Sequence, residues 1–193
     1  MKIYTKTGDT GETGLFGGQR VSKDSPLIDA CGVVDELNAA LGLAIASGQN
    51  DRIRSIITRI QGELFVVGAD LATPKPAGEN GSSSTVNVPR VTEKMVLRLE
   101  SEIDSFTDEA GPLSNFILPG GSLAGAAIHL ARCVCRRAER AVVHAARTES
   151  INPNALIYIN RLSDHLFELA RLVNKLENQP ETIWSRLSVG QDS

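Results

Sequence analysis

The sequence predicts an all-α fold, a five-helix bundle with a four-helix-bundle-like core. Apolar residues recur at spacings of three and four along five stretches of the chain, which is the period of an amphipathic helix. No stretch gives a convincing strand pattern, and the links between the helical stretches are mostly short, as in a bundle. With 193 residues, of which 41% are hydrophobic, the chain is long enough for one domain with a substantial core.

The first helix follows a glycine-rich arm, residues 1–25, that shows no sustained periodicity. This helix is predicted over residues 26–47, where Asp24 or Ser25 ahead of Pro26 supplies a start signal. Its apolar positions step by threes and fours and comprise Leu27, Cys31, Val34, Leu37, Leu41 and Ile45.

The next two helices are separated by a long link. The second helix is predicted over about residues 51–71 from its apolar stripe. Residues 73–90 are rich in Pro, Gly and Ser, so we expect a mobile surface loop there. The third helix is predicted to begin near Thr92 and to end before the turn at Gly111-Pro112.

The fourth and longest helix is predicted over about residues 121–148, and the fifth over about 154–177, between Pro153 and Pro180. The buried stripe predicted for the fourth helix is Leu123, Ala127, Leu130, Val134, Ala138, Ala141 and Ala145. The stripe predicted for the fifth is Leu156, Ile159, Leu162, Leu166, Leu169 and Val173.

Residues 26–177 are thus expected to form the bundle of a single domain, 1–193, that ends in a loose polar tail, 178–193. The net charge of −3 excludes a broad basic surface for nucleic acid. No apolar run reaches the ~20 residues of a membrane span, and the first residues lack a secretory signal pattern. We interpret Cys133 and Cys135 as small core residues and expect a cytoplasmic protein.

The segment "RCVCRRAER", residues 132–140, places four arginines and one glutamate on the fourth helix. A column with helical spacing is formed by His129, Arg132, Arg136 and Arg140. Such a column is usually a solvated charged face. Here only Glu139 interrupts the positive charges, and like charges at i, i+4 destabilise a helix. Arginine also suits bidentate contact with phosphate or carboxylate, so we favour a local anion site.

Two further segments offer polar groups. The fifth helix carries a second column, made of Asn160, Asp164, Phe167, Arg171 and Asn174. Its polar members could be packed partners of other polar groups, in which case Asp164 could orient an arginine and Asn160 could bind a nucleotide or its metal. The alternative is that they are simply exposed to solvent. The arm segment "TKTGDTGETGLFGG" has five glycines and four threonines, which suit a phosphate-rich ligand but also occur in ordinary flexible arms. Lys23 could reach the same anion.

The chain lacks the common catalytic and metal motifs. The arm is not a Walker A loop, the Glu-x-x-His pair of di-iron bundles is absent, and the three histidines have no zinc spacing. No candidate nucleophile has a base beside it. A site of positioning cations without a protein nucleophile suits a reaction in which the substrate brings its own nucleophile.

Five ordered motifs span residues 2–171. They read "KIYTKTGDTGETGLFGG", "CGVVDELNAALG", "FILPGG", "RCVCRRAER" and "INRLSDHLFELAR". Together they resemble the PduO-type ATP:cob(I)alamin adenosyltransferases. The resemblance implies a homotrimer of helical bundles that binds ATP between neighbouring subunits. It also implies transfer of the 5′-deoxyadenosyl group of ATP to cob(I)alamin, with Mg²⁺ and release of triphosphate.

The resemblance assigns roles to individual positions. The implied nucleotide contacts are Thr5, Lys6, Thr7, Gly8, Thr13, Gly14, Lys23, Arg136, Arg137, Glu139, Arg140 and Asn160. An ion pair between subunits is implied for Asp35 and Arg132, a cobalamin-facing aromatic ring for Phe116, and an acid near the cobalt for Asp164. We expect a reductase and an adenosylcobalamin-dependent enzyme as partners. The alternative function is a non-catalytic trimer that senses ATP or delivers adenosylcobalamin.

Overall fold

The computed structural model describes residues 2–16, 18–48, 50–73 and 88–185, in which five α-helices and one short β-hairpin occur. The helices are α1 (Pro26–Ser47), α2 (Asp51–Leu71), α3 (Glu93–Ala110), α4 (Leu123–Ala145) and α5 (Pro153–Leu176). The hairpin lies in the arm and pairs β1 (Glu12–Gly14) with β2 (Arg20–Ser22) in antiparallel register. The all-α prediction is confirmed, and no predicted helix end is displaced by more than three residues.

Polar residues at the helix starts explain why the sequence predicts these starts correctly. Four helices begin at a side chain that accepts a backbone N–H of the first turn: Ser25, Asn50, Ser122 and Asn152. Pro26 and Pro153 follow two of these caps at the first helical position, where a missing N–H costs nothing.

The packing order brings one end of the bundle close to the arm. α4 packs against α1 and α5, α5 also against α3, and α2 against α1. A Cβ on Gly48, after α1, would lie 3.1 Å from Ala124 at the start of α4, whereas Glu36 of α1 pairs with Arg137 farther along α4. α1 and α4 are therefore antiparallel, so the start of α1 and the end of α4 share one end of the bundle.

Buried polar contacts fasten α3 to α2 and α5. His165 is fully buried, and its Nε2 lies 2.7 Å from a carboxylate oxygen of Glu102. Arg59 bridges Glu102 at 2.5 Å and Glu63 at 2.8 Å. The hydroxyl of Tyr158 donates to Glu63 at 2.7 Å. Burial lowers the pKa of His165, so its ring is held neutral near pH 7.

The prediction that the chain has no strands was wrong within the arm. The hairpin strands have three residues each, which is too short for a period-two pattern to be visible. The hairpin nevertheless gives the arm a defined backbone.

The stripe predicted for α4 was right at five of its seven positions, because Ala127, Val134, Ala138, Ala141 and Ala145 are buried, and wrong at two. Leu123 and Leu130 are 72% and 54% exposed, whereas His129 is only 3% exposed. Cys133 is exposed and only Cys135 is buried. The buried face also includes Ala124, Ile128, Ala131, Cys135 and Val142, so it is wider than the predicted stripe. α4 packs against both α1 and α5, and these two contacts account for the wider buried face.

Parts of the predicted loop and tail fall outside the described residues, namely 74–87 and 186–193. The tail that is described is paired: Ile183 forms an isolated antiparallel bridge with Ile117. Within the described ranges, none of the helices is long and apolar enough to cross a membrane.

Candidate functional site

An open groove runs along the C-terminal half of α4. It is lined by Arg136, Glu139, Arg140, Val143, His144 and Arg147. The Nη1 of Arg140 donates to the backbone oxygen of Arg136 at 2.9 Å, which holds that guanidinium along the helix. In the part of the chain that the structure describes, no carboxylate forms an ion pair with Arg136 or Arg140. The groove therefore presents uncompensated positive charge, the property that an anion site requires.

α5 adds polar oxygen and nitrogen atoms to this groove. The Nδ2 of Asn160 donates to Oε1 of Glu139 at 2.7 Å. Asn160 is thus an exposed residue that is also a hydrogen-bonded partner, which combines the two alternatives left open by the sequence. Asp164 is exposed and lies 3.5 Å from Arg161 of its own helix, so within the described chain it does not orient an α4 arginine.

The other two arginines of α4 have different surroundings. Arg137 forms an ion pair with Glu36 of α1. Arg132 stacks its guanidinium 5.9 Å from the ring centre of Phe167, and its Nε is buried without a hydrogen-bond partner in the described residues. Asp35 is exposed, and the described chain contains no ion pair between it and Arg132. The Asp35–Arg132 pair is expected between subunits, and it stays a prediction.

The arm carries its predicted contact residues on a hydrogen-bonded loop. The hydroxyls of Thr5 and Thr7 lie 2.9 Å apart, and Nη2 of Arg20 donates to the carbonyl of Thr7 at 2.7 Å. The Nζ of Lys23 is 3.1 Å from where a Cβ on Gly8 would stand. A Cβ at Gly8 would make this contact tight, so glycine leaves room for Lys23 beside the loop.

The remaining arm residues lie beside this loop. Thr13 and Gly14 belong to β1, and Lys6 has a φ of 61°, a left-handed conformation that is uncommon outside glycine. The amide of Phe16 donates to the carbonyl of Ala72 at 3.3 Å, which ties the arm to the end of α2. No hydrogen bond or ion pair joins the arm to the α4 arginines within the described ranges, although both lie at the same end of the bundle.

Phe116 is not a core residue, because it is 80% exposed. Its ring meets Trp184 edge to face, with ring centres 6.4 Å apart. The glycine turn that follows is fixed by Asn174, whose Oδ1 accepts the Ser122 amide at 3.0 Å. Gly121 has a φ of 101°, and a Cβ there would lie 2.3 Å from the Asn174 amide, so both conformation and space require glycine.

His129 does not belong to the cationic column in which the sequence placed it. Burial, reinforced by the charge of Arg132, lowers the pKa of His129. Its ring lies 5.9 Å from that of Phe167, and neither ring nitrogen has a hydrogen-bond partner in the described chain. It therefore contributes a neutral ring beneath the arginines rather than another cation.

Sequence reasoning missed four residues near these features. Arg147 follows Arg140 by seven positions, so helical spacing could have placed it in the groove. Arg20, within the arm, donates to the carbonyl of Thr7, a contact that no local sequence pattern reveals. Trp184 and Glu181 come from the segment predicted to be loose, and only tertiary pairing shows their positions.

The structure thus defines an all-α bundle protein with a cationic groove on one helix, a structured glycine–threonine arm and an exposed aromatic residue before that helix. Residues 3–173 match the family model described as Cobalamin adenosyltransferase. The chain belongs to this family.

Characterised relatives are similar over most of their length. The corrinoid adenosyltransferase of Bacillus subtilis is 46% identical over 179 residues, with 90% of this chain and 87% of that protein covered. Human corrinoid adenosyltransferase MMAB is 39% identical over 189 residues, covering 96% and 74%. A variant PduO-type ATP:corrinoid adenosyltransferase from Lactobacillus reuteri, complexed with cobalamin and ATP, superposes with a TM-score of 0.86 at 39% identity, covering 96% of this chain and 100% of that one.

Proposed function

We propose that this protein transfers the 5′-deoxyadenosyl group of ATP to cob(I)alamin or a related corrinoid and releases triphosphate. The observation that carries the proposal is the uncompensated arginine groove of α4, in a chain of the cobalamin adenosyltransferase family. The residues proposed to contact the nucleotide are Thr5, Lys6, Thr7, Gly8, Thr13, Gly14, Lys23, Arg136, Arg137, Glu139, Arg140 and Asn160.

The chemistry needs no nucleophile from the protein. The cobalt(I) of the substrate supplies an electron pair to C5′ of ATP, a cobalt–carbon bond forms, and the bond from C5′ to the triphosphate oxygen breaks. Negative charge grows on the triphosphate, so fixed cations beside it lower the barrier. Arg136 and Arg140 are suited to this task because no carboxylate in the described chain already neutralises them.

Magnesium fits this site as an ion held mainly by phosphate oxygens. No group of three or more His, Cys, Asp or Glu side chains in the described residues could hold a metal by itself. The carboxylate of Glu139 and the amide oxygen of Asn160 would provide one or two oxygen ligands, as Mg²⁺ bound to nucleotides prefers. When bound, the ion would neutralise charge on the triphosphate.

Phe116 is proposed to face the corrinoid. An apolar ring in place of the lower axial base removes a donor to cobalt, which makes reduction of cobalt(II) easier. Its 80% exposure supports a ligand-facing role, because burial in the core would leave the ring no access to a substrate. Asp164, also exposed, is proposed to lie on the cobalt side of the site.

We further propose a cytoplasmic homotrimer with ATP bound between subunits. Within the described chain no hydrogen bond or ion pair joins the arm to the arginine groove, which supports a site completed by a neighbour, as do the exposed Leu123 and Leu130 on α4. Asp35 and Arg132 would pair across that interface. A reductase and an adenosylcobalamin-dependent enzyme are the proposed partners.

An anaerobic mixing experiment tests the proposal. Chemically reduced cob(I)alamin, ATP and protein should give the absorption spectrum of an alkylcobalt product and one triphosphate for each product formed. If ATP raises the melting temperature but no alkylcobalt spectrum develops, the protein is instead a non-catalytic nucleotide-binding trimer. If ATP neither reacts nor protects against heat, both nucleotide functions are rejected.

A further inference from the structure

We propose that Arg171 is a positioning residue for Phe116, acting through Glu181 and the chain that follows α5. The tail segment is defined here as residues 178–184. This inference rests on the proposed role of Phe116 toward the corrinoid, and it adds residues that no resemblance assigned to the site.

The tail segment forms a short antiparallel pairing with residues 116–118. The Leu118 amide donates to the Thr182 carbonyl at 2.8 Å, and the Trp184 amide donates to the Phe116 carbonyl at 2.7 Å. Phe116 is 80% exposed and Trp184 50% exposed. Core packing therefore does not hold the two rings, and the backbone pairing sets their positions.

Arg171 is the buried anchor of this segment. It is only 3% exposed, and its Nε donates to Glu181 at 3.0 Å. The same guanidinium donates to Glu168 at 2.9 Å and to the carbonyl of Gly111 at 2.9 Å. Of the two carboxylates that bind Arg171, only Glu181 lies in the tail segment. Without it, Arg171 stays neutralised by Glu168, while the segment loses its charged anchor.

α5 also holds the other strand of the pairing, through Asn174. Its Nδ2 donates to the Gly120 carbonyl at 2.9 Å, and its Oδ1 accepts the Ser122 amide at 3.0 Å. Its own carbonyl accepts the Gln179 amide at 2.8 Å. α5 thus holds both strands of the pairing. Asn174 holds the chain that follows Phe116, and Arg171 holds the tail segment through a charged contact.

Glu181→Ala tests the inference without leaving an unpaired buried charge. Trp184 is the single tryptophan of the sequence, so its fluorescence reports the tail segment directly. We expect red-shifted emission and stronger acrylamide quenching. We also expect kcat/KM for cob(II)alamin with a reductase to fall about tenfold, the loss typical of one charge-assisted hydrogen bond. The KM for ATP should not change, since the arginine groove is not involved.

Two variants serve as controls. Glu181→Gln keeps a hydrogen-bond acceptor and should restore much of the fluorescence and corrinoid kinetics. Glu109→Ala removes a more exposed ion pair with Arg52, 2.6 Å long, that lies outside the tail segment. This variant should behave as wild type in both measurements.

Phe116→Ala and the double variant with Glu181→Ala distinguish the possible failures. If Glu181 acts through Phe116, the double variant should be no worse with the corrinoid than Phe116→Ala. If Phe116→Ala is impaired but Glu181→Ala keeps wild-type corrinoid kinetics, with or without a fluorescence change, the positioning inference alone is overturned. If Phe116→Ala retains wild-type kinetics, the proposed role of Phe116 is rejected first, and the inference with it.

Discussion

Replacing Arg136 by alanine should weaken ATP binding strongly while leaving the fold intact. The side chain is exposed and forms no ion pair or hydrogen bond within the described chain. Its removal should therefore change the free energy of unfolding by no more than about 0.5 kcal/mol. One charge-assisted hydrogen bond to a phosphate is worth about 1.5–3 kcal/mol, so we expect the Kd for ATP to rise about 10- to 150-fold.

Isothermal titration calorimetry with ATP, beside urea denaturation, measures both quantities. Arg54→Ala is the matched control, because Arg54 is also exposed but lies near the start of α2, at the opposite end of the bundle. Arg137→Ala should have a smaller effect than Arg136→Ala, because Glu36 already neutralises Arg137 in part. Wild-type ATP affinity for Arg136→Ala, or an equal loss for Arg54→Ala, would refute the reasoning.

Three further predictions concern stability. Gly121→Ala should lower the free energy of unfolding by about 1–3 kcal/mol because of the φ of 101° at Gly121 and the 2.3 Å approach of a Cβ there to a side-chain amide. Gly120 has open space around a Cβ, so Gly120→Ala should lower it less. Equal losses for the two variants in urea denaturation would contradict this prediction. Asp70→Ala should cost about 3 kcal/mol, since this buried carboxylate accepts from three donors; a thermal melt at the wild-type temperature would contradict it. Burial lowers the pKa values of His129 and His165 from 6.5, so the unfolded chain binds more protons as the pH falls. The free energy of unfolding should therefore fall from pH 6.5 to 5, by up to about 1.4 kcal/mol per unit for each histidine, and a flat profile would reject the prediction.

The sequence predicted the helices well because their signals are local. Polar caps such as Ser25 and Asn152 and prolines at the first helical position stand next to the residues they affect. The width of a helix's buried face depends on tertiary contacts, which explains the two wrong positions on α4. α4 contacts both α1 and α5, so its buried face is wide enough to include His129, whereas Leu123 and Leu130 lie outside it.

The site residues also differ in whether their signals are local in the sequence or depend on tertiary contacts. The arginine column and Asn160 could be identified from spacing and resemblance, and the structure joins Asn160 to Glu139 in the groove. The support for Phe116 could not be predicted, because the Arg171–Glu181 contact and the pairing of 182–184 with 116–118 depend on the folded chain. No contact within the described chain tests the Asp35–Arg132 pair, which the resemblance implies between subunits, so it remains a prediction.

The account depends most directly on where the triphosphate of ATP binds. A crystal structure of the wild-type protein with a non-reactive ATP analogue and Mg²⁺ locates it. We predict phosphate oxygens within hydrogen-bond distance of the Arg136 and Arg140 guanidinium groups, with the glycine–threonine arm, residues 5–14, closing over the nucleotide. An analogue bound elsewhere, with both guanidinium groups still facing solvent, would contradict the central claim.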